Sequence, residues 1–128
     1  MRSMTTTALC GAFLMLAAAP GAAAADDHER STALTITVTA AGQAPASYLL
    51  TCDPDGGDHP APAAACARLR AADGKLRGLR RPATSCGWSY QPYKVGVAGT
   101  WQGRNISYNG TFTNACRAKA AGADVFAF

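Results

Sequence analysis

The stretch LTCDPDGGDHPAPAAAC, residues 50–66, passes through three types of local structure and contains two cysteines. Its first residues end an apolar extended segment, its centre is a turn-rich loop of Asp, Gly and Pro, and its last residues favour helix. A disulfide between Cys52 and Cys66 would tie that helix back to the strand. The stretch therefore predicts a domain in which a helix packs on a sheet.

Two strands and a helix are predicted around this stretch. In ALTITVTA, residues 33–40, apolar side chains alternate with threonines, which is the period-two pattern of a half-buried strand. SYLLTCD, residues 47–53, is a second strand that ends at the first disulfide cysteine. A helix is predicted over 62–72, because this segment is rich in Ala, Leu and Arg, begins with proline and is followed by Gly74.

The C-terminal half predicts a hairpin, a short helix and a final strand. Residues 92–101 and 101–114 read as two strands around a tight turn at Ala98 and Gly99. Residues 115–122 form a short helix, and DVFAF at 124–128 forms a last strand. The predicted fold class is α+β, with an antiparallel sheet of about five strands, two short helices and two disulfides.

Residues 1–25 have the pattern of a signal peptide. Arg2 supplies the positive charge, an apolar run occupies 8–19, and the small residues at 22–25 provide a cleavage site after Ala25. The apolar run is shorter than a membrane span. The sequence therefore predicts a secreted chain with no membrane partner and a single mature domain over 26–128.

Removal of the signal peptide lowers the number of cysteines from five to four. Four cysteines in a small secreted chain indicate two disulfides, for which three connectivities are possible. Sequence spacing favours two local pairs, Cys52 with Cys66 and Cys86 with Cys116. Zinc is disfavoured because no C-x-x-C is present and the two histidines are not spaced as ligands. No metal and no cofactor are predicted.

The acidic loop that contains Asp53, Asp55 and Asp58 does not match a calcium site. An EF-hand loop that began at Asp53 would need Gly at its sixth position and a bidentate Glu at its twelfth. This chain has Asp58 and Ala64 at those positions. Dedicated calcium binding is therefore not expected.

The chain is mildly basic, with twelve Lys and Arg against eight Asp and Glu and a net charge of +4. Much of the positive charge is concentrated in residues 68–82. The balance is not that of a nucleic-acid-binding protein, and no nucleic-acid partner is predicted. The basic segment is either a solvated surface or a docking surface for an acidic partner.

No motif supplies the groups that an enzyme needs. The sequence contains no G-x-S-x-G, no H-E-x-x-H and no phosphate-binding glycine loop, and the four mature cysteines are committed to disulfides. His28 lies in a polar leader, and His59, between Asp58 and Pro60, is interpreted as a surface residue. The chain is predicted not to be an enzyme. A small secreted hydrolase that depends on His59 stays open as an alternative.

The segment SCGWSYQP, residues 85–92, predicts a binding function instead. Cys86, held by its disulfide, would anchor one end of an extended segment, and Pro92 would restrict the other end. Between them Trp88 would point outward, whereas Trp101, among alternating residues, is the expected core tryptophan. A rigid, extended loop that presents one large side chain is what a protease cleft accepts.

Four segments carry a resemblance to a known family. They are residues 50–66, the loop of Cys86 with Tyr90 and Pro92, GTWQGRNISYNGTFTNAC at 99–116, and VFAF at 125–128. Together they extend the resemblance over essentially the whole mature chain. In these segments the sequence is similar to the subtilisin inhibitors secreted by Streptomyces and related actinobacteria.

The resemblance implies the two disulfide pairs that spacing favours, and it implies a reactive bond between Trp88 and Ser89. The implied flanks of that bond are Cys86, Gly87, Tyr90, Gln91 and Pro92. Asn114 would brace the loop through a side-chain hydrogen bond. The implied partners are secreted serine proteases of the subtilisin and chymotrypsin types, together with a second copy of the chain in a homodimer formed through the sheet.

Two residues depart from what is common in that family. Family members often have proline where this chain has Gly87, the least restrained residue. Family members commonly carry Met or Lys at the P1 position, immediately before the reactive bond, where this chain has Trp88. The Trp88 side chain suits a roomy apolar S1 pocket and not the acidic S1 floor of trypsin.

The leading hypothesis is a secreted, substrate-like reversible inhibitor of serine proteases. The alternative from another class is a secreted interaction or surface-structure protein, such as a transglutaminase substrate, that uses the same scaffold.

Overall fold

A computed structural model describes residues 31–128, which form an antiparallel sheet covered on one face by helices. The predicted signal peptide over residues 1–25 and His28 lie outside the described residues. The strands are β1 (Thr32–Ala40), β2 (Ala46–Cys52), β3 (Gly56–Gly57), β4 (Tyr93–Trp101) and β5 (Arg104–Phe112), and the helices are α1 (Pro62–Ala71) and α2 (Ala115–Gly122). Short 3₁₀ helices occupy Leu76–Gly78 and Ala123–Phe126. No helix within 31–128 has the length and apolarity that a membrane span requires.

The strand order is β3-β2-β1-β4-β5, so β1 is the central strand. Its predicted alternation is confirmed, because Leu34, Ile36 and Val38 are buried while Thr35 is exposed. Leu34 and Ile36 join a core that continues into β4 through Val97. Alternate residues of a strand point to opposite faces, so this pattern leaves one face of the sheet for the helices.

The predicted helix over 62–72 is confirmed, and its end is fixed by a glycine. Pro62 occupies the first turn of α1, where a missing N–H has no hydrogen-bonding consequence. Gly74 follows the helix with a φ of +70° and donates its N–H to the carbonyl of Leu69 at 2.8 Å. A Cβ at Gly74 would collide with the ring of Trp101, which is the core tryptophan that the sequence predicted.

Both predicted disulfides are present. Cys52–Cys66 joins the end of β2 to α1, and Cys86–Cys116 joins the segment before β4 to α2. Their sequence separations are 14 and 30 residues. Each bridge therefore attaches a helix to a segment that ends or precedes a strand of the sheet.

The hairpin turn was predicted at Ala98 and Gly99, and this prediction is wrong. Gly99 lies within β4, where it pairs with Leu34 of β1 and Ile106 of β5. The turn consists of Gln102 and Gly103, which have φ values of +46° and +78°. Two successive positive φ angles are the geometry of a tight two-residue hairpin turn, which matches the twist of the flanking strands.

The predicted C-terminal strand is also wrong, because Ala123–Phe126 is a 3₁₀ helix. Val125 and Phe126 are consecutive and both are fully buried, whereas a half-buried strand would bury only one of the two. The fifth strand of the sheet is instead the two-residue β3, which pairs with Leu50 and Thr51 of β2.

Candidate functional site

Residues 86–92 form a segment without regular secondary structure that is attached to the domain at both ends. At its start, Cys86 is bonded to Cys116 of α2 and donates its N–H to the carbonyl of Ala83 at 3.1 Å. At its end, Gln91 donates its N–H to the carbonyl of Thr113 at 2.9 Å. We call residues 86–92 the reactive loop because the sequence predicts a reactive bond there, and these attachments restrict its backbone before any partner binds.

Asn114 connects the centre of the reactive loop to the start of α2. Its side chain is buried, and its amide Nδ2 donates to the carbonyls of Gly87 at 3.1 Å and Ser89 at 2.9 Å. Its Oδ1 accepts from the backbone N–H of Arg117 at 3.1 Å, so the same residue is the N-cap of the helix. One fixed amide therefore holds the backbone on both sides of the bond between Trp88 and Ser89.

The loop presents two large side chains to solvent. Trp88 is 81% exposed and Tyr90 is 79% exposed, whereas Trp101 is 1% exposed. The expectation that Trp88 points outward is confirmed. Adjacent exposed aromatic residues on a restrained backbone are typical of a surface that binds a protein, because a folded domain otherwise buries such residues.

A contact that the sequence did not predict lies beside the bond between Trp88 and Ser89. The guanidinium carbon Cζ of Arg117 is 3.8 Å from the centroid of the Trp88 ring. No local pattern could have predicted this pair, because the two residues are distant in sequence. They meet only because Cys86–Cys116 brings the loop onto α2.

The interpretation of His59 as a surface residue is wrong. Its side chain is 4% exposed, with Nε2 2.9 Å from the carbonyl oxygen of Val125 and Nδ1 accepting from the N–H of Ala61 at 3.0 Å. Both ring nitrogens are thus used by backbone atoms, and Phe128 packs against the ring. His59 is a structural residue that fixes the C-terminal segment to the loop before α1.

The carboxylates of the acidic loop have hydrogen-bonding partners within the domain. Arg70 Nη2 lies 2.8 Å from Asp53 Oδ1 and 2.5 Å from Asp55 Oδ1, and Asp58 accepts from the N–H of Leu49. The hydrogen bond from Arg70 holds the pKa of the Asp55 carboxyl below its usual value. Asp53 and Asp55 are therefore paired with Arg70, and Asp58 is paired with a backbone N–H.

The sulfurs of Cys52 and Cys66 lie close to a carboxylate oxygen of Asp55, as metal ligands would. The two sulfurs are bonded to each other, however. A sulfur in a disulfide is no longer the thiolate that binds metals.

Several arginines of the basic segment over residues 68–82 also have internal partners. Asp124 Oδ2 accepts from Arg68 Nε at 2.9 Å and from Arg81 Nη2 at 2.8 Å. The Arg68 hydrogen bond contributes most to lowering the pKa of Asp124, and the nearby charge of Arg81 adds to it. These residues attach the segment before the reactive loop to the C-terminal 3₁₀ helix.

Comparison with known proteins identifies relatives over nearly the whole chain. A family model described as subtilisin inhibitor-like matches residues 30–114. Trypsin inhibitor STI2 of Streptomyces longisporus is 40% identical over 133 residues, covering 98% of this chain and 92% of that protein. A subtilase-type protease inhibitor of Streptomyces coelicolor is 42% identical over 132 residues, with the same coverage.

A solved structure is similar in fold. The crystal structure of Streptomyces caespitosus sermetstatin in complex with Bacillus licheniformis subtilisin matches with a TM-score of 0.60 and 31% identity. The match covers 77% of this chain and 99% of that chain. The family and these relatives are described as inhibitors, which agrees with the prediction that the chain is not an enzyme.

Proposed function

The chain belongs to the subtilisin inhibitor-like family, and on that premise we propose that it is a secreted, substrate-like, reversible inhibitor of serine proteases. The proposed targets are enzymes of the subtilisin and chymotrypsin types, and the proposed reactive bond joins Trp88 to Ser89. The observation that carries the proposal is the Asn114 amide, which donates to the carbonyls of Gly87 and Ser89 on either side of that bond.

The restrained loop explains why such a chain would inhibit a protease instead of being consumed. The protease serine attacks the carbonyl carbon of Trp88, and the peptide bond breaks to give an acyl-enzyme and the free amine of Ser89. Asn114 still holds the carbonyl of Ser89 after this step, and Cys86–Cys116 still holds the other side of the break. The amine therefore stays next to the acyl carbon, which favours religation over hydrolysis.

The nature of the P1 side chain supports a preference for apolar S1 pockets. Trp88 is a large uncharged side chain exposed at the centre of the loop. It fits the hydrophobic S1 slot of chymotrypsin-type enzymes, and it has no cation to pair with the acidic S1 floor of trypsin. We therefore propose weak inhibition of trypsin.

A titration tests the proposed function directly. Subtilisin and chymotrypsin at fixed active-site concentrations are titrated with the chain that begins at Asp26, the residue after the proposed signal cleavage site. We expect residual activity to fall linearly to an end point of one protease per chain. A lack of inhibition at large excess would contradict the proposal and would favour the interaction or surface-structure protein on the same scaffold.

The proposed bracing role of Asn114 predicts faster proteolysis when its amide is changed. Asn114→Ala removes both donors to the loop, so the complex should weaken by about 1 kcal/mol for each hydrogen bond, and hydrolysis at the reactive bond should accelerate. Mass spectrometry of timed samples with a catalytic amount of subtilisin measures the cut fraction.

Asn114→Asp is the matched control, because aspartate keeps the N-cap acceptor for Arg117 and replaces the amide donor with a negatively charged oxygen that the two loop carbonyls repel. We expect Asn114→Asp to retain the melting temperature better than Asn114→Ala and to be hydrolysed at least as fast. Hydrolysis at the wild-type rate in both variants would contradict the bracing role.

We also propose that two copies of the chain pair through the open face of the sheet. This face, opposite the helices, carries short polar side chains from β1 and β5, among them Thr35, Thr37, Ser107, Asn109 and Thr111. The resemblance to the family supports this arrangement. Sedimentation equilibrium is expected to give twice the mass of one chain, and a monomer at all concentrations would contradict it.

A further inference from the structure

The ring of Trp88 is not free in the uncomplexed chain, although most of its surface is exposed. Arg117 lies over one face of the indole with Cζ 3.8 Å from the ring centroid, well within the distance at which a guanidinium is attracted to an aromatic ring. The proposed P1 side chain thus has a partner on its own domain before it meets a protease.

The described residues offer the Arg117 side chain no competing polar partner. Its Nε is buried and has no hydrogen-bond partner, and no carboxylate within residues 31–128 forms an ion pair with it. Its backbone is fixed separately, because its N–H donates to Oδ1 of the N-cap residue Asn114. The side chain can therefore move without disturbing the helix or the bracing of the loop.

The stacked arrangement is incompatible with a filled S1 pocket. An apolar S1 slot contacts both faces of an aromatic P1 ring and excludes water from it. Arg117 would have to enter the slot with its charge or leave the ring, and burial of an unpaired charge is far more costly than loss of one stacking contact. The contact therefore exists in the free chain and is lost in the complex.

We propose that Arg117 is a positioning residue that holds the Trp88 ring against α2 in the free chain and must release it before the ring enters S1. The inference rests on the proposed function. An interaction made only in the free state lowers the population that is competent to bind, and it lowers the apparent affinity by the same factor. The contact between Arg117 and Trp88 therefore lowers the affinity of the chain for a protease whose S1 pocket takes the Trp88 ring.

A double-mutant cycle with subtilisin tests the proposal. Arg117→Gln removes the cation and keeps a polar side chain suited to helix. We expect it to lower the dissociation constant of the complex about two- to fivefold, corresponding to about 0.5–1 kcal/mol. This decrease should come from a larger association rate constant. In the Trp88→Leu background, where no aromatic ring is present, the same change should have no effect. Arg117→Lys should restore part of the wild-type behaviour, because an ammonium also binds an aromatic face.

Two controls separate the stack from other effects of the substitution. Lys119→Gln removes another positive charge from α2, at an exposed position, and corrects for the altered net charge. The near-UV circular dichroism and tryptophan fluorescence of the uncomplexed chain report the stack directly. Arg117→Gln should change these signals only when Trp88 is present, because Trp101 is buried elsewhere.

Each outcome decides the question. Unchanged spectra of the free chain would show that no stack forms, and the proposal would be overturned. Changed spectra with equal or weaker binding would also overturn it, because the stack would then assist binding. An equal gain in the Trp88→Leu background or for Lys119→Gln would assign the effect to charge alone. If the wild-type chain binds no protease, the proposed function itself has failed, and no S1 entry remains for Arg117 to oppose.

Discussion

Trp88→Ala is expected to weaken the complex with subtilisin or chymotrypsin at least about thirtyfold, which is the effect of about 2 kcal/mol that defines a hot-spot residue. Trp88 is 81% exposed in the free chain, so transfer of its side chain into an apolar S1 pocket removes a large apolar surface from water. Inhibition constants measured for both enzymes test the expectation. Since the ring is outside the core, the melting temperature should change little.

Leu49→Ala is the matched control for this experiment. Leu49 is another exposed apolar residue, at 44%, but it lies on β2 outside the reactive loop. Leu49 pairs with Thr35 on the open face of the sheet, which is proposed to pair two copies of the chain and not to bind the protease. The substitution should therefore leave both inhibition constants unchanged. If Trp88→Ala binds as tightly as the wild-type chain, or if it fails to fold while Leu49→Ala folds, Trp88 is not the P1 residue.

Trp88→Lys should redirect inhibition towards trypsin, because the lysine ammonium can pair with the acidic S1 floor.

The assignment of Trp88 as the P1 residue also predicts the site of slow cleavage in the wild-type chain. Prolonged incubation with a catalytic amount of subtilisin should create one new N-terminus, at Ser89, with the two pieces still joined by Cys86–Cys116. A new N-terminus at any other residue would show that the reactive bond is misassigned.

Removal of the disulfide between Cys86 and Cys116 should convert the inhibitor into a substrate. In the double variant Cys86→Ser/Cys116→Ser, cleavage after Trp88 would leave the N-terminal side of the break without a covalent link to α2. The hydrogen bond from Asn114 to the Gly87 carbonyl would still hold that side, but one hydrogen bond is too weak to keep the ends together, so hydrolysis would replace religation. We expect stoichiometric inhibition that disappears within the incubation, with the cut chain accumulating on a gel.

The other disulfide provides the control, because it stabilises the fold and does not touch the loop. For loops of 14 and 30 residues the chain-entropy model gives similar stabilisation, about 3–4 kcal/mol each. The variant Cys52→Ser/Cys66→Ser should therefore lose comparable stability and remain an inhibitor at a temperature where it is folded. If both double variants are degraded alike, general destabilisation and not loop anchoring explains the result.

Local sequence patterns predicted the elements whose boundaries depend on neighbouring residues. The alternation in β1, the proline and glycine at the ends of α1, and the short helix over 115–122 all match the structure. The spacing of the cysteines favoured the two observed disulfides, and the Gly and Ser beside Trp88 indicated an exposed loop. These features follow from the conformational preferences of short segments and from chain connectivity.

The errors fall where the choice between two conformations depends on distant residues. Gly99 looks like a turn residue, but in the sheet it lies against the carbonyl of Ala33, where a Cβ would collide. The last residues, from Asp124 on, look like a strand, but Val125 and Phe126 are both needed to fill the core. Packing decided between the alternatives in both cases, and packing is not visible in a window of neighbouring residues.

The sequence by itself determined the α+β elements, the disulfide framework and an exposed tryptophan on a restrained loop. Only the tertiary structure decided which groups meet around them. Asn114 reaches two carbonyls that lie 25 and 27 residues away, His59 reaches the carbonyl of Val125 across 66 residues, and Arg117 lies over Trp88. The physical reason is that each of these contacts depends on where a helix is placed against the sheet and loop, and that placement is a property of the packed core and not of any segment alone.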